Sequence, residues 1–347
     1  MKPRTWMWML VVSLIAALAI TVPTSAQNQI ISSRDQDSHL PGPSCRTASC
    51  VLAIGSSRLR SQGRSAASPT TSTVAALAIT VPASAQTIIT FDAPGAGTGP
   101  GQGTYVSSIN PAGAITGVTR DASDKRHGFV RSPNGTFTTF DAPGAGIGAF
   151  QGTRAFSINP AGAVTGWYLD ADDSRHAYVR DEKGNVTTFE APGANQYDGT
   201  YANSINPAGA ITGFSLDANS VFHGFLRSPK GSIITIDAPG AAAGAFQGTL
   251  AFGINPAGAI AGEAHDANYV SHGFLRGPDG TFTTFDAPGA GIDGGEGTLV
   301  YSINPAGAIT GSTIDSTFVF HGYVRAPDGT FTTFDAPGAG TVSGHPS

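Results

Sequence analysis

The chain has 347 residues, with 46 Gly and 23 Pro but only 12% charged residues. That many turn-makers exclude a coiled coil or helical bundle, and an apolar fraction of 40% rich in β-branched residues argues against disorder over most of the length. A formal net charge of −5 offers no basic surface to nucleic acid, so no nucleic-acid partner is expected.

Residues 1–26 read as a signal peptide. Lys2 and Arg4 form a positive start, residues 6–20 an apolar run, and Thr24-Ser25-Ala26 a small-residue cleavage site. The run is short for a bilayer span, so the expectation is a secreted protein, extracellular or periplasmic, without a stable membrane span after cleavage. Residues 27–86 form a low-complexity segment rich in Ser, Arg and Gln. It ends in a second copy of the signal-peptide end, residues 75–82 repeating residues 16–23. With no apolar period it is expected not to form a core. Both cysteines, Cys45 and Cys50, lie here, and an exported pair can close a small disulfide loop. Charge divides at the same boundary: residues 1–85 carry 7 Lys/Arg against 2 Asp/Glu, and residues 86–347 carry 12 against 22.

From residue 87 to 347 the chain repeats itself about every 49 residues. Ile-Asn-Pro-Ala-Gly begins at Ile109, Ile158, Ile205, Ile254 and Ile303. A His-led strand begins at His127, His176, His223, His272 and His321. The motif led by Phe or Ile and containing Ala-Pro-Gly begins at Phe91, Phe140, Phe189, Ile236, Phe285 and Phe334. Each repeat parses into four strands, exemplified by 153–158, a short strand from Ala163, 176–180 and, in the first repeat, 136–140. Asn-Pro-Ala-Gly and Ser-Pro-Asn-Gly turns close the hairpins, with Pro pre-set for the second turn position and Gly supplying positive φ. Strict alternation would place Phe156 and Ile158 on one face and Ala155 and Ser157 on the other. The expected fold is all-β: a five-bladed β-propeller of four-stranded antiparallel repeats, with a parallel β-helix as the alternative. Because the outer strand occurs six times, Thr87–Phe91 is expected to lie in the last blade and close the ring, removing exposed sheet edges.

The His-Gly-Phe, His-Ala-Tyr and His-Gly-Tyr triplets, together with Ile-Asn-Pro-Ala-Gly and Phe-Asp-Ala-Pro-Gly, resemble the bacterial HAF repeat family over about residues 87–340. Most triplets here carry Gly where that family's name has Ala. The resemblance implies an extracellular repeat protein and transfers no catalytic residue.

Asp121, Asp170, Asp217, Asp266 and Asp315 each stand six residues before a repeat His. An Asp–His set suggests acid/base chemistry, but five equivalent copies point to groups that bond to one another and fix each blade. Asp170, Asp172 and Asp173 lie close together without the pattern of a calcium loop, so no metal is expected. No glycine-rich stretch carries a phosphate-loop Lys, and no cofactor is expected.

Function is sought where the copies differ. After the glycine of the second strand they read Val118-Thr119-Arg120, Trp167-Tyr168-Leu169, Phe214-Ser215-Leu216, Glu263-Ala264-His265 and Ser312-Thr313-Ile314. Trp167 and Tyr168 form an aromatic pair suited to a sugar ring, and Glu263 with His265 a single acid/base pair; blade packing is the plainer reading of Trp167. The sequence therefore points to a secreted, non-catalytic binding or structural module for a glycan, a surface polymer or an extracellular protein. The alternative is a propeller glycoside hydrolase or polysaccharide lyase using Glu263.

Overall fold

A computed structural model describes residues 88–340. The expected signal peptide, both cleavage sites, the low-complexity segment and both cysteines lie outside the described residues. Of the described residues, 91–340 belong to one compact unit and 88–90 to another.

The first repeat is β1 (Gly103–Ile109), β2 (Ile115–Arg120), β3 (Arg126–Arg131) and β4 (Phe137–Phe140). The second is β5 (Gly152–Ile158), β6 (Val164–Leu169), β7 (Arg175–Arg180) and β8 (Val186–Phe189). The third is β9 (Thr200–Ile205), β10 (Ile211–Leu216), β11 (Phe222–Arg227) and β12 (Ile233–Ile236). The fourth is β13 (Gly248–Ile254), β14 (Ile260–His265), β15 (Ser271–Arg276) and β16 (Phe282–Phe285). The fifth is β17 (Gly297–Ile303), β18 (Ile309–Ile314), β19 (Phe320–Arg325) and β20 (Phe331–Phe334). Each repeat is an antiparallel meander, as the two turn motifs require. The fold is all-β, built from repeated four-stranded units.

Successive repeats are stitched at one end. The first residue of a third strand bridges in parallel to the first residue of the next repeat, as Arg126 does to Gly152, Phe222 to Gly248 and Ser271 to Gly297. The connection before β9 is two residues shorter than its counterparts. There the Arg175 amide bonds the Tyr197 carbonyl at 3.2 Å, and the ladder divides into an eight-stranded and a twelve-stranded sheet.

The expected alternation of strand β5 is interrupted. A bulge between Ala155 and Ser157 places an extra residue on β5 opposite β6, and β1, β9, β13 and β17 carry the same irregularity. Phe156 therefore does not continue a simple two-residue period with Ile158. The bulge also explains the glycine in every second strand. A Cβ on Gly166 would run into the Arg154 carbonyl, and one on Gly117 into the Tyr105 carbonyl and the Phe129 ring.

The core is distributed between repeats rather than gathered at one centre. One layer joins Ala177 and Ala191 of the second repeat to Ala202, Ile205, Ile211 and Phe225 of the third. Equivalent layers join the third repeat to the fourth and the fourth to the fifth. Each repeat thus buries its apolar face against a neighbour. Two polar links accompany these layers. The turn asparagines Asn110, Asn159 and Asn206 each donate through Nδ2 to the backbone carbonyl of the next turn asparagine, at 3.0, 3.3 and 3.3 Å. The alanine amide of each Ala-Pro-Gly motif donates to a threonine hydroxyl in the following first strand: Ala93 to Thr104, Ala142 to Thr153, Ala191 to Thr200, Ala238 to Thr249 and Ala287 to Thr298.

The expected ring closure is not what the structure shows. Residues 88–91 form no strand, and the outer position of the fifth repeat is taken by β20, which pairs along its full length with β19. Phe91 packs in the first repeat, 5.6 Å from the Phe137 ring and beneath the Arg131 guanidinium. Among the described residues no strand of the first repeat pairs with one of the fifth. Ile109 is 55% exposed, where its equivalents Ile158, Ile205, Ile254 and Ile303 are 5–8% exposed. At the other end Phe320 is 51% exposed, against 1% for Phe222.

Candidate functional site

The five Asp–His sets form five bridges of one design. The loop aspartate spends Oδ1 on two turn amides; Asp170, for example, accepts from Asp172 and Ser174 at 2.9 Å each. Its Oδ2 faces the repeat histidine, Asp170 lying 3.1 Å from His176 Nε2. The other ring nitrogen, Nδ1, meets the carboxylate after the fourth strand: Asp141, Glu190, Asp237, Asp286 and Asp335, at 2.6–2.9 Å. Each histidine thereby ties the second-to-third-strand loop to the end of the fourth strand. Desolvation lowers the His176 pKa, but hydrogen bonds and charge from Glu190 and Asp170 outweigh it and hold the ring above its ordinary value. His321 is raised chiefly by Asp335. Asp315 is lowered to about 2, first by the Val319 amide. With its oxygens occupied by turn amides and histidine, each loop aspartate serves the loop itself, and no group of three or more metal-ligating side chains occurs among the described residues.

Trp167 and Tyr168 stand adjacent on β6 with opposite orientations, and both are 6% exposed. Tyr168 stacks on His176 at 5.0 Å, beside the bridge. Trp167 is packed on Phe156 at 5.9 Å and meets Tyr201 edge-on at 5.6 Å. Tyr201 in turn stacks on Phe214 at 4.5 Å, so a row of rings runs from the second repeat into the third. Glu263, also 6% exposed, accepts from the Val300 amide at 3.1 Å and faces His265 Nε2 at 3.5 Å. Burial lowers the pKa of His265, yet the Glu263 hydrogen bond and charge lift it above the ordinary value. The two pairs occupy equivalent strands, in the second and fourth repeats, and belong to separate packing environments.

The structure brings to Trp167 residues that reading only the second strand misses. Arg154 on β5 and Arg175 at the start of β7 place their guanidinium carbons 4.7 and 4.8 Å from the indole centroid. Arg175 also lies 4.4 Å from the Tyr201 ring. In the first repeat, Arg120 and Arg126 approach the Phe150 ring at 4.5 and 5.6 Å. Desolvation, with repulsion from Arg126 and Arg175, depresses the Arg154 pKa to about 9. Arg126 is depressed to about 10 by desolvation and by Arg120 and Arg175. The signal was present in the repeats: the residue after the first-strand threonine reads Tyr105, Arg154, Tyr201, Leu250 and Leu299. The residue before each repeat histidine reads Arg126, Arg175, Phe222, Ser271 and Phe320. Cations at these places occur only in the first two repeats.

A cavity of about 210 Å³ adjoins this region, lined by Asp170, Asp172, Arg175, His176, Glu190 and Asn195 among others. It lies beside the shortened connection of the second repeat.

No protein-family model and no curated protein matches the chain. Among solved structures, it is similar to the SapL1 lectin in complex with alpha methyl fucoside, at 15% identity and a TM-score of 0.38, over 69% of this chain and 80% of that one. It is also similar to a mutant Aleuria aurantia lectin in complex with alpha-methyl-L-fucoside, at 12% identity and a TM-score of 0.39, over 70% of this chain and 79% of that one. A fungal lectin described as a six-bladed β-propeller, from Aleuria aurantia, matches at 10% identity and a TM-score of 0.28, over 70% of this chain and 97% of that one. Likeness at this level assigns this chain neither a blade number nor a ligand.

Proposed function

We propose that this is a secreted, non-catalytic binding module of the HAF-repeat kind, built as a five-bladed β-propeller and directed at a glycan, a surface polymer or an extracellular protein. The observation that carries the reading is the contrast between two sets of positions. The acid/base groups recur five times in one bridging role, whereas the copies diverge at residues around Trp167 and Glu263. Repetition of the bridge supports a structural role, and divergence at neighbouring positions supports recognition. Export rests on the signal-like start at residues 1–26 and the clustering of all cysteine outside the repeats.

Glycan arrays run beside hydrolysis and lyase assays on the same polymers test the binding reading. Retention without turnover is the expected result. Turnover abolished by Glu263→Gln would overturn it in favour of a propeller glycosidase or lyase. N-terminal sequencing of the exported protein is expected to find Gln27 first; a start at Gln86 would make the second site the working one, and full-length protein kept in the cytoplasm would refute export.

A further inference from the structure

The arginines of the first two repeats have too few counter-charges. Arg120 pairs with Asp124 at 3.1 Å and donates to the Gly101 carbonyl at 2.7 Å. Arg175 donates to the Asp198 carbonyl at 3.2 Å and has that carboxylate at 3.9 Å. The guanidiniums of Arg126 and Arg154 make no hydrogen bond or ion pair with any described residue; they pack on the Phe150 and Trp167 rings. The Nε atoms of Arg120, Arg154 and Arg175 are buried without an acceptor, as are those of Arg131, Arg180, Arg227 and Arg325; among the described residues, only around Trp167 do two such arginines share one ring. Arg126 itself is only 8% exposed.

Such an arrangement is costly. A desolvated cation without an acceptor destabilises a fold, and like charges in proximity add to that cost. It occurs although residues 86–347 carry ten more acids than bases. None of the 22 acids in that region forms an ion pair with Arg126 or Arg154, and Asp124 offsets the Arg126 charge only from a distance. A cluster that concentrates unpaired planar guanidiniums beside aromatic faces is suited to an external oxyanion, because arginine presents paired donors matched to carboxylate and sulfate. Trp167 and Tyr201 hold Arg154 and Arg175 in place through their ring faces, so little side-chain entropy remains to be lost on binding.

We propose that Arg126, Arg154 and Arg175 form an oxyanion-recognition site for an acidic polysaccharide, one whose sugars carry carboxylate or sulfate groups. The inference rests on reading the protein as a binding module and names the class of ligand. The lone Glu263 at the position equivalent to Trp167 lies in the fourth repeat, so recognition is confined to the cationic repeats.

The full chain is titrated with polygalacturonate, heparin, the neutral polymer dextran and sodium sulfate, read by calorimetry and thermal shift. Both acidic polymers are expected to bind and raise Tm, with affinity falling as salt rises. Arg154→Gln is expected to weaken that binding at least tenfold without lowering the Tm of the unliganded protein, because a repelling charge is lost. Arg175→Gln is expected to weaken it in the same direction, and Arg276→Gln, in the fourth repeat, to leave it unchanged. Absence of any response to both acidic polymers, or unchanged affinity in both Arg154→Gln and Arg175→Gln, overturns the proposal. Saturation by free sulfate as tight as by the polymers overturns the polysaccharide assignment. Equal binding of dextran by the wild type and Arg154→Gln removes the oxyanion inference while leaving the binding-module reading intact; polymer cleavage would remove that reading instead.

Discussion

The Ala142 amide donates to the Thr153 hydroxyl across the junction between the first and second repeats, at 2.8 Å. The same bond recurs at each described junction and also between Ala93 and Thr104, ahead of the first repeat. It accounts for the six copies of the Ala-Pro-Gly motif against five repeats. Each of the first five copies fastens the strand that follows it. Replacing Thr153 by Val preserves shape but leaves a buried amide without an acceptor. A loss of about 1–3 kcal/mol is expected in urea unfolding, with Thr153→Ser retaining most of the stability.

The histidine bridges predict a stability maximum on the acid side of neutrality. His176 and His321 titrate above their ordinary value in the fold, so their contribution is complete below the unfolded pKa near 6.5 and fades as pH rises through the folded one. Asp170 and Asp315 are depressed, so theirs is present above the unfolded value of 3.8 and fades as pH falls, down to about 2 for Asp315. Urea midpoints are expected to decline from pH 6 to pH 8.5, and His176→Asn to flatten that decline. A midpoint rising across this range would contradict the bridges as described.

Truncation distinguishes the two candidate outer strands. Deleting residues 330–347 removes β20 and its four pairs with β19, and is expected to lower Tm sharply. Deleting residues 87–92 removes the Phe91 contact with Phe137 and Arg131 and is expected to cost less. The reverse order would restore Thr87–Phe91 as the closing strand.

Gly166→Ala is expected to destabilise by about 1–3 kcal/mol, because the added methyl meets the Arg154 carbonyl and the Ala155 backbone, which cannot withdraw without disturbing the bulge. Thermal denaturation of the variant checks this.

Chelation is expected to leave Tm unchanged. Asp170 Oδ1 already accepts two amides and Oδ2 faces His176, leaving a cation little to bind. A calcium-dependent rise of several degrees would show that Asp172 and Asp173 complete a site.

Much of the fold was legible because its determinants are local. Pro and Gly mark the turns at Asn159 and Ser132, and the strands between them are short and apolar. The bulge at Ala155 was not legible, since it depends on the Arg154 carbonyl approaching Gly166 across the sheet. Nor was the position of Phe91, which a repeat count alone assigns to the wrong end. Of the candidate site, Trp167 stood out as a singular residue in one strand. Its guanidinium partners come from β5 and β7, and only folding shows that Arg154 and Arg175 share its ring.

The asparagine links from Asn110 to Asn159, Asn206 and Asn255 all point forward along the chain. Asn110, Asn159 and Asn206 each use their own side-chain oxygen to hold their turn, as Asn159 does toward Ala163, and send their amide to the next; among the described residues, Asn255 makes no such bond to the fifth repeat. Within that run, a gene duplication that inserts or removes one whole unit therefore recreates the same junction on both sides of the change. There, copy number is free to drift by unequal recombination without a compensating substitution, and the line also tolerates a small change in unit length. The two-residue shortening before β9 separates the two devices: the strand bridge is lost there, yet the Asn159-to-Asn206 link persists.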